Sequence, residues 1–456
     1  MIFLKISAKK ILDICNGTLL NGNEDSLIEK YSIDTRSINK GDMYVAIKGE
    51  NVDGNNFICD AFDKGAIGCI TDGEIPNELL QNYKDKLIIK VENTILALQQ
   101  IASYIRMQYD IPVIAITGSV GKTSTKDIVA SIVSKKYNVL KTEGNLNNHI
   151  GLPMTILSLD NQNAIVVEMG MNHFKEISVL SKIAKPTIAV ITNIGTSHIG
   201  NLGSRENILK AKLEILDGMG KNGSLIINND NDLLHDWSKK SKNKNIYTYG
   251  INNSSNYTAT NILQNEYSST FNINNNKINI NVSGKHFIYN ALAAFTVGKL
   301  LDINEKDIIE GIAEFKLTSK RMEIRKMSNN SIIIEDYYNA SFESTLMALD
   351  VLSKINSKKK IAVLGDILEL GNFSDEIHKK IGMELIKYNI DALITVGKAA
   401  KSIASEAKKI GIGKIYICDN NMEAIHFLNQ EIQDNSAILI KASHGMNFGE
   451  IAKEIK

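Results

Sequence analysis

The chain has 456 residues, 43% of them hydrophobic, and carries 52 lysines and arginines against 51 aspartates and glutamates. That length exceeds what one core organises, so roughly two to four domains are expected, three being the working number. The near-zero net charge excludes a long-range positive field that would draw the chain to nucleic acid or anionic lipid.

Cys15, Cys59, Cys69 and Cys418 are scattered with no C-x-x-C spacing, which argues against a disulfide framework or zinc knuckle and fits a reducing cytoplasm. Lysines break up the apolar residues of the opening MIFLKISAKK, so no signal peptide is expected. No run of about 18 apolar residues occurs, so no membrane span is expected either. The basic cluster Lys239, Lys240, Lys242 and Lys244 reads as solvated surface.

Residues 1–108 hold short apolar runs, MYVAI, IGCI and KLIIKV, separated by Gly, Asp and Asn turns, and then a helical stretch from Thr94 to Tyr109. They predict a small α/β domain. Residues 109–315 change rhythm to strand, loop and helix: VIAIT (113–117), AIVVEMG (164–170) and IAVITNIG (188–195) are buried strands of a parallel sheet covered on both faces. Within this part, 271–274 and 277–282 alternate apolar and asparagine-rich polar positions, which predicts a hairpin with one wet face. Residues 316–456 repeat the α/β rhythm through SIIIEDYY, KIAVLGD, ALITVG, KIYICD and AILIKAS, a dinucleotide-fold-like third domain.

The chemistry starts at ITGSVGKTSTK (116–126), where only Ser119 and Val120 separate Gly118 from Gly121, two residues fewer than the usual phosphate loop allows. Between a strand and a helix, such a loop offers backbone N–H groups, the helix dipole and the Lys122 ammonium to a polyphosphate, and Thr123 suits magnesium. Glu168 just past the second strand and His198 after the third stand at carboxyl ends of strands, where a parallel sheet opens to its ligand. The loop TEGNLNNHIGLP (142–153) offers amides, Asn145 and Asn148 among them, as a turn or a substrate clamp.

Taken in order, TGSVGKTS, TEGNLNNHIGLP, EMGMNH, TNIGTSHIGNLGSREN and KAKLEI resemble the ATP-dependent Mur ligases of bacterial cell-wall synthesis, a family whose phosphate loop has this short form. SIDTRSINKGDMYVAIKGENVDGNNFI resembles its UDP-sugar-binding domain, and KRME, DYYNAS and LGDILELG resemble its carboxy-terminal domain, so the likeness spans nearly the whole chain. The EMGMNHFKEI, GSREN and YNA elements are most similar to the branch that joins D-alanyl-D-alanine to UDP-N-acetylmuramoyl-tripeptide.

The resemblance implies ATP and two magnesium sites. Gly118, Ser119, Gly121, Lys122, Thr123 and Ser124 would serve the phosphates, with Asn290 at the adenine and Arg321 and Asp336 closing from the third domain. Thr123, Glu168, His198 and a carbamylated Lys212 would hold metal, and Lys122, Lys212 and His198 would carry catalysis. Asp34, Thr35 and Arg36 would meet UDP, while Asn145, Asn148, Tyr338 and Asn339 would contact substrate. A monomer acting without nucleic acid is implied.

Phe287 stands where the family often has asparagine, Ser341-Phe342 where Asn-Pro is usual, and His444 where arginine is common. Phe342 in place of proline is expected to reshape the wall of the acceptor pocket. A single-amino-acid-adding ligase or a diverged paralogue with a different acceptor is the alternative within the family; the Asp-Asn-Pro-Arg run of the diamino-acid-adding enzymes is absent. A GTPase would need an Asn-Lys-x-Asp element after its phosphate loop, and there is none in that part of the chain. A non-catalytic regulator would have lost phosphate or metal groups, and these are present.

Overall fold

The computed structural model describes residues 4–243, 245–318 and 320–455. Lys244 of the basic cluster and residues 1–3 of the opening stretch lie outside the described residues. Lys239, Lys240 and Lys242 are exposed, as expected of solvated surface.

Among the described residues the strands form sheets of two, five, nine and six strands. The five-stranded sheet runs Thr18–Asn21, Leu87–Lys90, Gly68–Thr71, Met43–Val45 and Tyr31–Ser32; its first pair is antiparallel and the rest are parallel. Asn39-Lys40-Gly41-Asp42, in this first part, spells the guanine element in letters, but ahead of the phosphate loop. There Asp42 Oδ2 accepts from Asn39 N at 2.8 Å, so that carboxylate is spent inside its own turn.

The nine-stranded sheet centres on Val113–Thr117, with Ala164–Glu168 and then Val139–Lys141 on one side and Ile188–Ile191, Ser224–Asn228 and Ile246–Gly250 on the other, all parallel. Every residue of Val113–Thr117, Ala164–Glu168 and Ile188–Ile191 is buried. These β-branched runs suit a sheet covered on both faces, and each large side chain buried there contributes about 1.5–3 kcal/mol. The chain steps from Val113–Thr117 to one side, then crosses to the other. Such a reversal leaves a crevice at the carboxyl ends of the strands. Glu168 is the last residue of its strand rather than one beyond it.

The expected hairpin is Ser269–Ile273 and Asn276–Ile280, with Phe271, Ile273, Ile278 and Ile280 buried and Asn274, Lys277 and Asn279 exposed. A third strand, Tyr257–Gln264, joins it to the parallel part of the sheet. The sequence hides that strand because its register shifts between Thr260 and Leu263, where Asn261 takes a φ of 50°, and the apolar alternation breaks.

In the six-stranded sheet, Glu323–Lys326 lies antiparallel on Ile332–Glu335, followed by parallel Ser436–Lys441, Lys359–Gly365, Ala392–Val396 and Lys414–Cys418. This is the α/β rhythm anticipated from SIIIEDYY onward.

Candidate active site

The short loop is held by the residues just after the third strand. Ser119 N donates to Asn193 O at 3.1 Å and Val120 N to Asn193 Oδ1 at 3.0 Å, while Thr192 Oγ1 and Asn193 Nδ2 donate to Val120 O. Gly118 has a φ of 150°, and a Cβ on it would strike Thr192 Oγ1. Gly118 and Ser119 therefore fix the loop's shape, and the N–H groups of Ser119 and Val120 are already used. What remains for a phosphate is the start of the helix Lys122–Val133, whose N-cap Gly121 sits at a φ of 83° with no side-chain cap. The first N–H groups of a helix lack internal partners and attract anions.

Around that helix end lies a cleft of 420 Å³ lined by Ser119, Gly121, Lys122, Thr123, Asn145, Asn148, Glu168, His198, Lys212, Arg321, Tyr338 and Asn339. Twelve of the expected site residues thus converge, from the nine-stranded and six-stranded units together. Ser124, Asn290 and Asp336 line a smaller connected recess of 80 Å³ that shares Gly121, Arg321 and Tyr338. Asp34, Thr35 and Arg36 line neither; Arg36 folds back on Asp34, at 2.7 Å between Nη2 and Oδ2, which lowers the Asp34 carboxyl to about 2.

Glu168 is buried, and both its oxygens are held: Thr123 Oγ1 donates to Oε2 at 2.7 Å and Asn147 Nδ2 to Oε1 at 2.8 Å. Asn147 is the amide of its loop that orients the carboxylate, where Asn145 and Asn148 were expected to be the working pair. Asn148 Oδ1 accepts from Ile150 N and Gly151 N, opening the next helix, and Asn145 is exposed in the cleft. Thr123 and Glu168 are hard oxygen donors suited to magnesium. Among the described residues no three His, Cys, Asp or Glu side chains cluster so as to hold a metal ion by themselves.

Lys122 Nζ donates to Gly118 O at 2.8 Å, and desolvation lowers its pKa despite the opposing charge of Glu168. Lys212 is buried at 2% exposure, and desolvation first, then the charge of Lys122, push its pKa well below the ordinary value. A lysine so placed carries a neutral amine far more readily than one in water. It is the one feature of KAKLEI that a surface lysine would not show.

From the six-stranded unit, Arg321 stacks its guanidinium 3.9 Å over the Tyr338 ring, whose centroid lies 5.8 Å from that of His444. Asp336 is pinned by Lys441, Nζ to Oδ2 at 2.6 Å, and also accepts from Met322 N. Its carboxylate orders the strand ends beside the cleft. Two buried donors, Asn290 Nδ2 and Arg321 Nε, have no partner in the protein, and a nucleotide would bring them acceptors.

A further pocket of 260 Å³ adjoins Gly121 and Asn290 and includes His286, Tyr289, Asp230 and Glu343. Asp230 accepts from Ile251 N, Asn252 N, Asn253 N and Tyr289 Oη at 2.6–2.9 Å. Phe287, the departure from asparagine, is buried against Phe315.

The two units meet in front of the cleft. Glu343 accepts from Thr196 N at 2.8 Å, His198 Nδ1 lies 2.7 Å from Glu369 Oε2, and Gly200 N donates to Glu369 O. His198 lowers the Glu369 carboxyl. Gly200 and Gly371 let backbone touch backbone: a Cβ on Gly200 would stand 2.6 Å from Glu369 O. Neither Glu343 nor Glu369 was among the residues expected at the site. Phe342 does not line the cleft. It packs against the main core as the first residue of the helix Phe342–Lys354, behind the capping box of Ser341 and Ser344, so the expected reshaping of the acceptor wall is corrected.

Comparison with known proteins agrees along the whole chain. Family profiles match in three places: the Mur ligase family catalytic domain at 27–106, the Mur ligase middle domain at 116–298, and the Mur ligase glutamate ligase domain at 320–444. The UDP-N-acetylmuramoyl-tripeptide--D-alanyl-D-alanine ligase of Bacillus subtilis is 36% identical over 99% of this chain and 98% of its own, and that of Escherichia coli 30% over 99% of each. A MurF crystal structure from Acinetobacter baumannii superposes with a TM-score of 0.91 at 29% identity, over 100% of this chain and 99% of its own. A Thermotoga maritima MurF ligase solved in complex with ADP gives 0.81 at 26% identity over 93% and 96%. With three family profiles matched in order along the chain and relatives 30–36% identical over nearly its whole length, the chain belongs to the Mur ligase family.

Proposed function

We infer that the chain is an ATP-dependent ligase that adds D-alanyl-D-alanine to UDP-N-acetylmuramoyl-tripeptide, releasing ADP and phosphate. The observation that carries this is the single cleft in which the loop helix, Glu168 with Thr123, and Arg321 with Tyr338 face one another. The first step forms a bond from a tripeptide carboxylate oxygen to the γ-phosphorus and breaks the bond to ADP. In the second, the dipeptide amine attacks the acyl carbon, phosphate leaves, and a proton passes to solvent. Both steps concentrate negative charge next to Lys122 and Arg321.

Within this reading, Lys122 and the first turn of its helix hold the phosphates, and Asn290 and Arg321 supply their unpaired donors to the nucleotide. Thr123, Glu168, His198 and a carbamylated Lys212 would hold magnesium. Bound magnesium supplies Lewis-acid offset of the phosphate charge. Carbamylation requires a neutral amine, the form that burial favours at Lys212: its nitrogen bonds to the carbon of CO₂, a proton leaves, and an anionic oxygen donor results. Asp34, Thr35 and Arg36 would take the UDP end, with Asn145, Asn148, Tyr338 and Asn339 along the peptide. The labour is divided among 1–108, 109–315 and 316–456.

A monomer in the cytoplasm completes this reading, and the four free cysteines fit a reducing compartment. Among the described residues no helix is long and apolar enough to cross a membrane.

Phosphate release tests the reading. It should require a nucleotide-tripeptide, with lysine or diaminopimelate third, together with D-alanyl-D-alanine. Equal rates with a single amino acid would refute the acceptor assignment. A carbamate carbon signal from ¹³CO₂, present in the native chain and absent in Lys212→Ala, tests the buried lysine without relying on turnover.

A further inference from the structure

The helix Phe342–Lys354 has one end in the cleft and the other far from it. Ser341 and Ser344 line the cleft, and Glu343 seats on Thr196. Thirteen residues on, at about 1.5 Å each and so about 20 Å away, Lys354 Nζ donates to Gln264 Oε1 at 2.7 Å. Just past it, Asn356 N donates to Glu266 Oε1 at 2.8 Å, and Lys326 Nζ lies 4.8 Å from the Tyr267 ring centroid. Residues 264–267 are the last residue of Tyr257–Gln264 and the turn that leads from it to Ser269–Ile273, so this is a second contact between the units, at the opposite end of the helix from the reaction. A third contact lies on the connecting segment, where Thr318 Oγ1 donates to Asp127 Oδ2 at 2.7 Å.

Three separated contacts fix the orientation of a rigid body where one leaves it free to swing. The turn suits that task. Phe271, Ile273, Ile278 and Ile280 root its hairpin in the core, and the hairpin packs on the helix Lys285–Leu300, which carries His286 and Asn290. The far contact is therefore stiffly joined to the pocket beside the loop.

We propose that the 264–267 turn is the fulcrum for the carboxy-terminal unit: Glu266 and Tyr267 are positioning residues that set, through the helix Phe342–Lys354, where Arg321, Tyr338 and Asn339 come to rest over the phosphate loop. Exposed polar contacts add little to stability. Their effect here is on the share of molecules whose two units are already closed, and apparent affinity scales with that share. The inference rests on the cleft being the reaction site, but its positional half is measurable without turnover.

The test is the full chain with Glu266→Ala and Tyr267→Ala together, and separately Lys354→Ala, compared with wild type by small-angle scattering without ligand and by steady-state kinetics. Both variants should scatter as more open particles, and KM for ATP and for the dipeptide should rise about three- to tenfold with kcat within about twofold. Combining all three substitutions should add little, because one contact is being broken. A variant profile superposing on wild type would overturn the fulcrum. So would an opened profile with unchanged KM, or a fall in kcat at unchanged KM. An inactive wild type would instead count against the ligase reading and leave the scattering comparison to judge the fulcrum.

Discussion

Replacing Lys122 with methionine keeps the stem of the side chain and removes its charge. The Lys122 ammonium donates to the neutral Gly118 oxygen, and its surroundings disfavour the charge. The folded-state pKa is below that of the unfolded chain, so protonated Lys122 costs the fold at neutral pH and only stops doing so as the pH rises toward 10.5. Lys122→Met should therefore melt at the wild-type temperature or slightly above it. Catalysis depends on the charge instead. A donor aimed at charge that grows in the transition state contributes about 3–4 kcal/mol, so kcat should fall about 10²- to 10³-fold. Phosphate release at saturating ATP, nucleotide-tripeptide and dipeptide measures one quantity, and a thermal melt the other. A loss of less than about tenfold, roughly 1.4 kcal/mol of barrier, would refute the role. A lowered melting temperature would refute the claim that this lysine is held at the fold's expense.

Asn147→Ala removes a donor from the buried Glu168 carboxylate, a charged hydrogen bond worth about 1.5–3 kcal/mol; the magnesium concentration for half activity should rise about ten- to a hundredfold, as a magnesium titration of phosphate release would show. Burial lowers His286 to about 4, against the opposing charges of Asp336 and Asp350 and with help from Lys441 and Lys354. Below about 6.5 the unfolded chain takes a proton that the folded chain refuses until about pH 4, so stability falls as pH drops through that window, by about 2–3 kcal/mol. His286→Gln should flatten that slope in urea melts between pH 7 and pH 4.5. Phe342→Leu should lower the melting temperature by trimming the core while leaving the preference for dipeptide over single D-alanine unchanged; a shifted preference would return Phe342 to the acceptor wall.

The central strands were legible because VIAIT, AIVVE and IAVI are covered on both faces and announce it in unbroken apolar runs. Tyr257–Gln264 was not, since its bulge at Asn261 destroys the alternation on which a strand is read. Lys122, Thr123, Glu168 and His198 could be found because strand ends and a glycine loop place them by chain position alone. Asn147 could not be told from Asn145 and Asn148, because the three differ only in which way the loop turns each amide. Asn193 escaped for another reason: it acts on the loop across the sheet, 73 residues away. Glu343 and Glu369 matter only where two units touch, and a pattern confined to one stretch of chain carries no record of that.

Backbone meets backbone at Gly200 and Gly371, and that has a kinetic side. Each round of synthesis must admit three reactants and let three products go, and the cleft that serves them is bounded in front by this seam. At the two glycines no side chain has to repack as the gap opens, and only the neighbouring contacts of Glu343 with Thr196 and of His198 with Glu369 must let go. A single added methyl at Gly200 would stand 2.6–2.7 Å from Glu369 O, Gly371 N and Leu370 C, all main-chain atoms that cannot swing aside. It would act as a wedge between the units, holding Arg321, Tyr338 and Asn339 away from the phosphate loop, and the reaction would then be limited by how seldom the gap shuts.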